Sequence, residues 1–130
     1  MLKNAHAVAT VATDDIPAAR AFYVDTLGLT PQQEDPGSLA FGLADGSGLM
    51  IYHRPDHEPP ENTAVNFVVP DVRREVADLR RRGVTFEEYD LPEFEIKTVD
   101  GIADGGQGMA LAWFKDPAGN ILALLQVPAA

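Results

Sequence analysis

The chain repeats itself, and that limits its fold more than any other feature. Val11-Ala12-Thr13-Asp14-Asp15-Ile16-Pro17-Ala18-Ala19-Arg20-Ala21-Phe22 and Phe67-Val68-Val69-Pro70-Asp71-Val72-Arg73-Arg74-Glu75-Val76-Ala77-Asp78 follow one plan: an apolar strand, an acidic cap, then an amphipathic helix. A repeat on this scale marks a supersecondary unit used twice. The first helix is expected to start near Asp14 or Asp15, where a carboxylate accepts from free helical N–H groups and Pro17 falls where no donor is needed. Ala19, Phe22, Tyr23 and Leu27 give it one apolar face, and Gly28 is a natural stop. The second helix starts near Asp71, carries Val72, Val76 and Leu79 at helical spacing, and ends at Gly83. Each helix should run for about three turns.

The two halves also close alike. Residues 46–55 align with 119–128, each stretch opening on a glycine (Gly46, Gly119) and ending on a proline (Pro55, Pro128). A turn signal precedes each, Ala44-Asp45-Gly46 in one half and Asp116-Pro117-Ala118-Gly119 in the other. Turn residues between apolar runs indicate β-hairpins, so strands are expected near 38–43 and 108–115 as the preceding arms. Pro55, Pro59 and Pro60 mark a linker rather than an element. The fold class is therefore α+β: one domain, 1–130, of two βαβββ modules at about 4–53 and 64–127, joined by the linker 54–63. Gly28 and Gly83 are 55 residues apart, but Gly46 and Gly119 are 73 apart, so the second module holds about 18 additional residues. They fall within 87–107, a stretch rich in acid and glycine that either carries function or is a tolerated surface insertion.

Composition excludes several function classes. The sequence has no cysteine, which removes disulfides, thiolate ligands and cysteine nucleophiles. Its formal net charge of -10 repels phosphate backbones, so no nucleic-acid partner is expected; a cationic ligand would be tolerated or attracted. No apolar run approaches the roughly 20 residues of a membrane span, and the N-terminus lacks the apolar region of a signal peptide. A cytoplasmic protein without a membrane partner is the expectation. No Ser-His-Asp order, phosphate loop or nucleophile elbow is present.

Asp14-Asp15-Ile16-Pro17-Ala18-Ala19-Arg20-Ala21-Phe22-Tyr23, followed by Leu27-Gly28-Leu29, resembles the opening signature of the glyoxalase / bleomycin-resistance / extradiol dioxygenase (vicinal oxygen chelate) superfamily. Trp113-Phe114-Lys115-Asp116-Pro117-Ala118-Gly119-Asn120 resembles its closing hairpin. The similarity covers roughly residues 6 to 127. It implies mixed sheets curled around a central cavity with helices on their outer faces, and frequent homodimers. The resemblance also implies a divalent metal held by His and Glu on the first and last strands of each module. The aligned positions hold Val8, Met50, Ala64 and Ala123. None is a credible ligand, and neither are their immediate neighbours, so no metal or other cofactor is expected. His53 and His57 have a zinc-like spacing, but Pro55 between them argues against the helix such a pair needs.

Side chains alternate faces along a strand. By that parity His6, Val8, Thr10, Met50, Tyr52, Ala64, Asn66, Ala123 and Leu125 share the face the resemblance assigns to the cavity. Trp113 or Phe114 adds an aromatic wall, since neighbours on a strand cannot both face inward. A mostly apolar surface with a few polar groups suits an organic ligand. No catalytic residue is assigned. The reading is a protein of this superfamily without its metal site, binding a small organic molecule. The alternative is a lyase, isomerase or dioxygenase of the same superfamily, metal-free or with a divergent site and with His6 as a candidate base. Glu87, Glu88, Asp90, Glu93 and Glu95 either form a solvated surface or, folded over the mouth, select a basic ligand.

Overall fold

The computed structural model describes residues 1–128. It separates into two compact units, Met1–Pro59 with Pro117–Asn120, and Pro60–Asp116 with the described residues from Ile121 onward.

In the first unit β1 (Val8–Thr13) leads into α1 (Ile16–Arg20). Asp15 is the N-cap, its carboxylate accepting from the Ala18 N–H at 3.0 Å, with Pro17 in the first turn. The helix then widens into a π-helical turn, Ala21–Thr26, in which the Leu27 N–H reaches back five residues to the Phe22 carbonyl at 2.9 Å. Together the two segments give the expected length, and Gly28 follows at φ +78°. β2 (Pro31–Asp35), β3 (Ser38–Gly42) and β4 (Gly48–His53) complete the unit. Its sheet has the order β1-β4-β3-β2, with β1 and β4 parallel and the other pairs antiparallel.

Leu39, Phe41, Leu49 and Ile51 alternate onto the face covered by the helix and are almost fully buried, as are Ala19 and Tyr23. The Tyr23 and Phe41 rings lie 6.1 Å apart. Asn120, also buried, donates through Nδ2 to the Ala12 carbonyl at 2.8 Å. Asn120→Ala removes that donor and leaves a buried carbonyl one partner short. It is expected to cost about 1–3 kcal/mol in urea denaturation.

The second unit repeats the plan. β5 (Thr63–Val68) leads into α2 (Val72–Arg81), capped by Asp71 on the Arg74 N–H at 3.2 Å. Gln126 adds a second acceptor, from the Val72 N–H at 2.9 Å. At the other end Val84 N–H bonds to the Leu79 carbonyl and Gly83 N–H to the Arg80 carbonyl, both at 3.0 Å. This is a Schellman ending, and it requires the left-handed φ of +94° that Gly83 adopts. A Cβ there would meet nothing within 4 Å, so Gly83→Ala costs only backbone strain. The expected loss is about 1–2 kcal/mol by chemical denaturation.

The additional residues of this half are structured. They form β6 (Asp90–Leu91), a short 3-10 turn (Pro92–Phe94) and β7 (Ile96–Val99), ahead of β8 (Ile102–Gly106), β9 (Met109–Lys115) and β10 (Ile121–Gln126). The sheet order is β5-β10-β9-β8-β7-β6, the four-strand plan of the first unit extended by two. Val72, Val76 and Leu79 of α2 and Phe114, Leu122 and Leu124 of the sheet are all buried, and α2 packs on β9 and β10.

No helix among the described residues is long and apolar enough to cross a membrane.

Candidate functional site

Strand register decides which side chains share the helix-free faces. In the first unit Val8 pairs with Gly48, Thr10 with Met50 and Ala12 with Tyr52, while β3 places Ala40 beside Met50 and Ser38 beside Tyr52. Val8, Met50 and Tyr52 are exposed, at 53%, 41% and 37%. Val8, Ala40 and Met50 help line a hollow of about 260 Å³. His6, expected on this face, lies before β1 and is exposed. The reason is the ladder: β4 begins at Gly48, opposite Val8, so nothing pairs further upstream.

In the second unit Ala123 pairs with Trp113 on one side and Asn66 on the other, and Leu125 pairs with Leu111 and Val68. Trp113, not Phe114, is therefore on the helix-free face. Ala64 departs from simple parity. Thr63 pairs with Ile121 but Val65 pairs with Leu122, so Ala64 is the extra residue of a bulge. Thr63 takes the place beside the indole, its Oγ1 accepting from Trp113 Nε1 at 3.2 Å.

Trp113 is also part of a larger feature. A groove of about 380 Å³ runs beside it, walled by Tyr89, Phe94, Ile96 and Ile121, with Glu61 and Thr63 among its polar lining groups. The Tyr89 ring stands edge-on to the indole, 5.3 Å away at 78°. Tyr89 is pinned by β7: its N–H donates to Thr98 Oγ1 at 2.7 Å and its carbonyl accepts from the Thr98 N–H at 2.8 Å. Burial, and after it the charge of Glu87, raises the Tyr89 phenol above its ordinary pKa, so it stays a neutral hydroxyl at physiological pH. Phe94, in the 3-10 turn, is 68% exposed, whereas Trp113 is 7% exposed. Parity along single strands missed Tyr89 and Phe94, because both sit in the acidic stretch that reads as a loop. Their aromatic side chains among acids were the available signal.

The family's metal positions do not fit a divalent ion. Val8 and Ala123 are hydrocarbon, Ala64 lies in the bulge, and Met50 offers only an exposed thioether, whereas such ions take imidazole and carboxylate. Among the described residues no three His, Asp or Glu side chains converge. Among the described residues His53 and His57 belong to no such group.

Two βα units, each with one helix-covered and one open sheet face, define a paired-module α+β protein. The chain belongs to the Glyoxalase/Bleomycin resistance protein/Dioxygenase superfamily, whose model matches residues 5–124. Among solved structures it is similar to a glyoxalase/bleomycin resistance protein from Catenulispora acidiphila, at 26% identity and TM-score 0.67, covering 95% of this chain and 98% of that one. It is similar in fold to TnmS3, an antibiotic binding protein from Streptomyces sp. CB03234, at 24% identity and TM-score 0.73, over 99% of each chain. The lactoylglutathione lyase of Agrobacterium tumefaciens shares the fold at 20% identity and TM-score 0.71, covering 97% and 96%. No curated protein matches the chain by sequence.

Proposed function

We propose that the protein binds a small organic molecule bearing a planar aromatic part, without a metal, and that the groove beside Trp113 receives that part. The observation that carries this reading is the aromatic cluster itself. Trp113 donates through its indole N–H to Thr63, the Tyr89 backbone N–H donates to Thr98, and Phe94 stands exposed on the wall. Rigid aromatic walls bind a flat ligand at low entropic cost. Aromatic faces also attract cations, and Glu61 in the lining and the net charge of -10 favour a cationic ligand. TnmS3 binds an antibiotic. At its level of identity it supports a shared fold, and the binding reading rests on the side chains.

A thermal-shift screen of aromatic and amphiphilic natural products tests the proposal. Binding to the native state alone raises the melting temperature by mass action, about 2.7 kcal/mol at a hundredfold excess over Kd. Shifts should favour planar cations over neutral isosteres; a flat response across the library would sink the reading. Elemental analysis of untagged protein addresses the enzymatic alternative, since stoichiometric zinc, iron, nickel or manganese would contradict a metal-free role. Phe94→Ala offers a finer check. Because Phe94 is exposed, the change should leave stability within about 0.5 kcal/mol. It should still weaken the best ligand several-fold, read by calorimetric titration.

A further inference from the structure

A second cleft, of about 590 Å³, opens between α2 and the β7–β8 hairpin and shares no lining residue with the Trp113 groove. Arg73 and Arg80 stand two turns apart on one side of α2, with Val76 and Ala77 between them. Lys97, Val99 and Ile102 line it from the hairpin, together with the acids Asp100 and Asp104. Three of the chain's ten basic side chains thus meet in one place, in a protein with twice as many acids.

Arg80 is held in position. Its guanidinium carbon lies 5.6 Å over the Phe86 ring, and Nη2 donates to the Asp100 carbonyl at 2.9 Å. Asp100 and Gly101 form the two-residue hairpin turn, both at positive φ (54° and 80°), as a type I′ turn requires. A Cβ on Gly101 would come within 2.8 Å of Arg80 Nη2 and 3.0 Å of Phe86, so glycine leaves the guanidinium its space.

The acids nearby hold the cations only loosely. Arg80 meets the Asp100 carboxylate at 3.4 Å and Arg73 meets Asp104 at 3.6 Å, and all four side chains are substantially exposed. Exposed pairs of this kind are weak, because water screens them. Lys97 makes no ion pair among the described residues. The lining therefore sets three cations against two carboxylates, a surplus of one positive charge beside apolar surface, and Val99 is 70% exposed.

We infer that this cleft is a second ligand site, for a small organic anion joining a carboxylate or phosphate to an apolar body. The cations take the anionic group, and Ala77, Val99 and Ile102 take the body.

Amide NMR titration tests this with four probes: phenyl phosphate, phenylacetate, inorganic phosphate and benzyl alcohol. At least one aromatic anion should give saturable shifts centred on 73–80 and 97–104, and which of the two binds more tightly identifies the preferred anionic group. Inorganic phosphate should bind about tenfold more weakly, and benzyl alcohol should leave these amides unmoved. Lys97→Gln, at an exposed strand position, should weaken binding about fivefold, a loss expected for a charge-assisted contact. Arg81→Gln, whose side chain pairs with Asp78 and does not line the cleft, should leave it unchanged. No saturable shift at these amides with either aromatic anion up to roughly 20 mM would overturn the assignment. So would equal binding of inorganic phosphate, or undiminished binding by Lys97→Gln.

Discussion

Truncating Phe114 to alanine should cost about 3–5 kcal/mol of folding free energy, the largest stability loss expected for one substitution here. Phe114 is fully buried on the face of the second sheet that α2 covers. Its ring meets Phe86 edge-to-face at 5.5 Å, and its ladder partner is the buried Leu122. Removing the ring forfeits its transfer free energy and leaves a cavity that a sheet fixed on both sides cannot close. A domain of this size holds only about 5–15 kcal/mol in total, so a large share of its stability would go. Urea denaturation should show a lower midpoint with an unchanged slope, the mark of lost packing rather than an altered unfolded state. A loss below about 1 kcal/mol would mean that this face is not packed as described.

The neighbouring residue should behave differently. Trp113→Ala should weaken ligand binding by at least about 2 kcal/mol, roughly thirtyfold, as expected for a buried aromatic anchor. The indole forms one wall of the groove, the Tyr89 ring leans on it, and Nε1 is already committed to Thr63. The ligand therefore gains the indole's surface rather than its N–H. Because Trp113 is also well buried, the alanine variant will lose stability as well, and Trp113→Phe serves as the companion. Phenylalanine keeps most of the packing and should retain part of the affinity. Calorimetric titration at a temperature where circular dichroism shows both variants folded separates the two effects. Equal affinity of Trp113→Ala and the parent would place the ligand elsewhere.

The repeat made most of the architecture legible, because caps and stops are local chemistry. Asp15 and Asp71 cap the two helices, and Gly28 and Gly83 follow them in left-handed conformation, where single-residue preferences are strong. Alternation separated Val11, Leu49, Ile51, Leu122 and Leu124, all buried, from Met50, Tyr52 and Asn66 on the open faces. Features that depend on pairing with a distant strand were not legible. The bulge that displaces Ala64 and brings Thr63 to Trp113 is set by register against β10. The π-helical turn after Arg20 leaves no trace in apolar spacing. The acidic stretch gave no strand signal because β6 and β7 are short, charged and interrupted by Pro92. That is why Tyr89 and Phe94 escaped notice.

The most direct measurement uses a property of the sequence itself: Trp113 is its single tryptophan, so emission excited at the red edge, where the three tyrosines do not absorb, reports on the groove. Purified protein would be titrated with planar aromatic cations and their neutral isosteres, with and without EDTA. The account predicts a saturable change in Trp113 emission for at least one aromatic cation, tighter than for its neutral isostere and unaltered by EDTA. Emission indifferent to every ligand, or a response that EDTA abolishes, would contradict it.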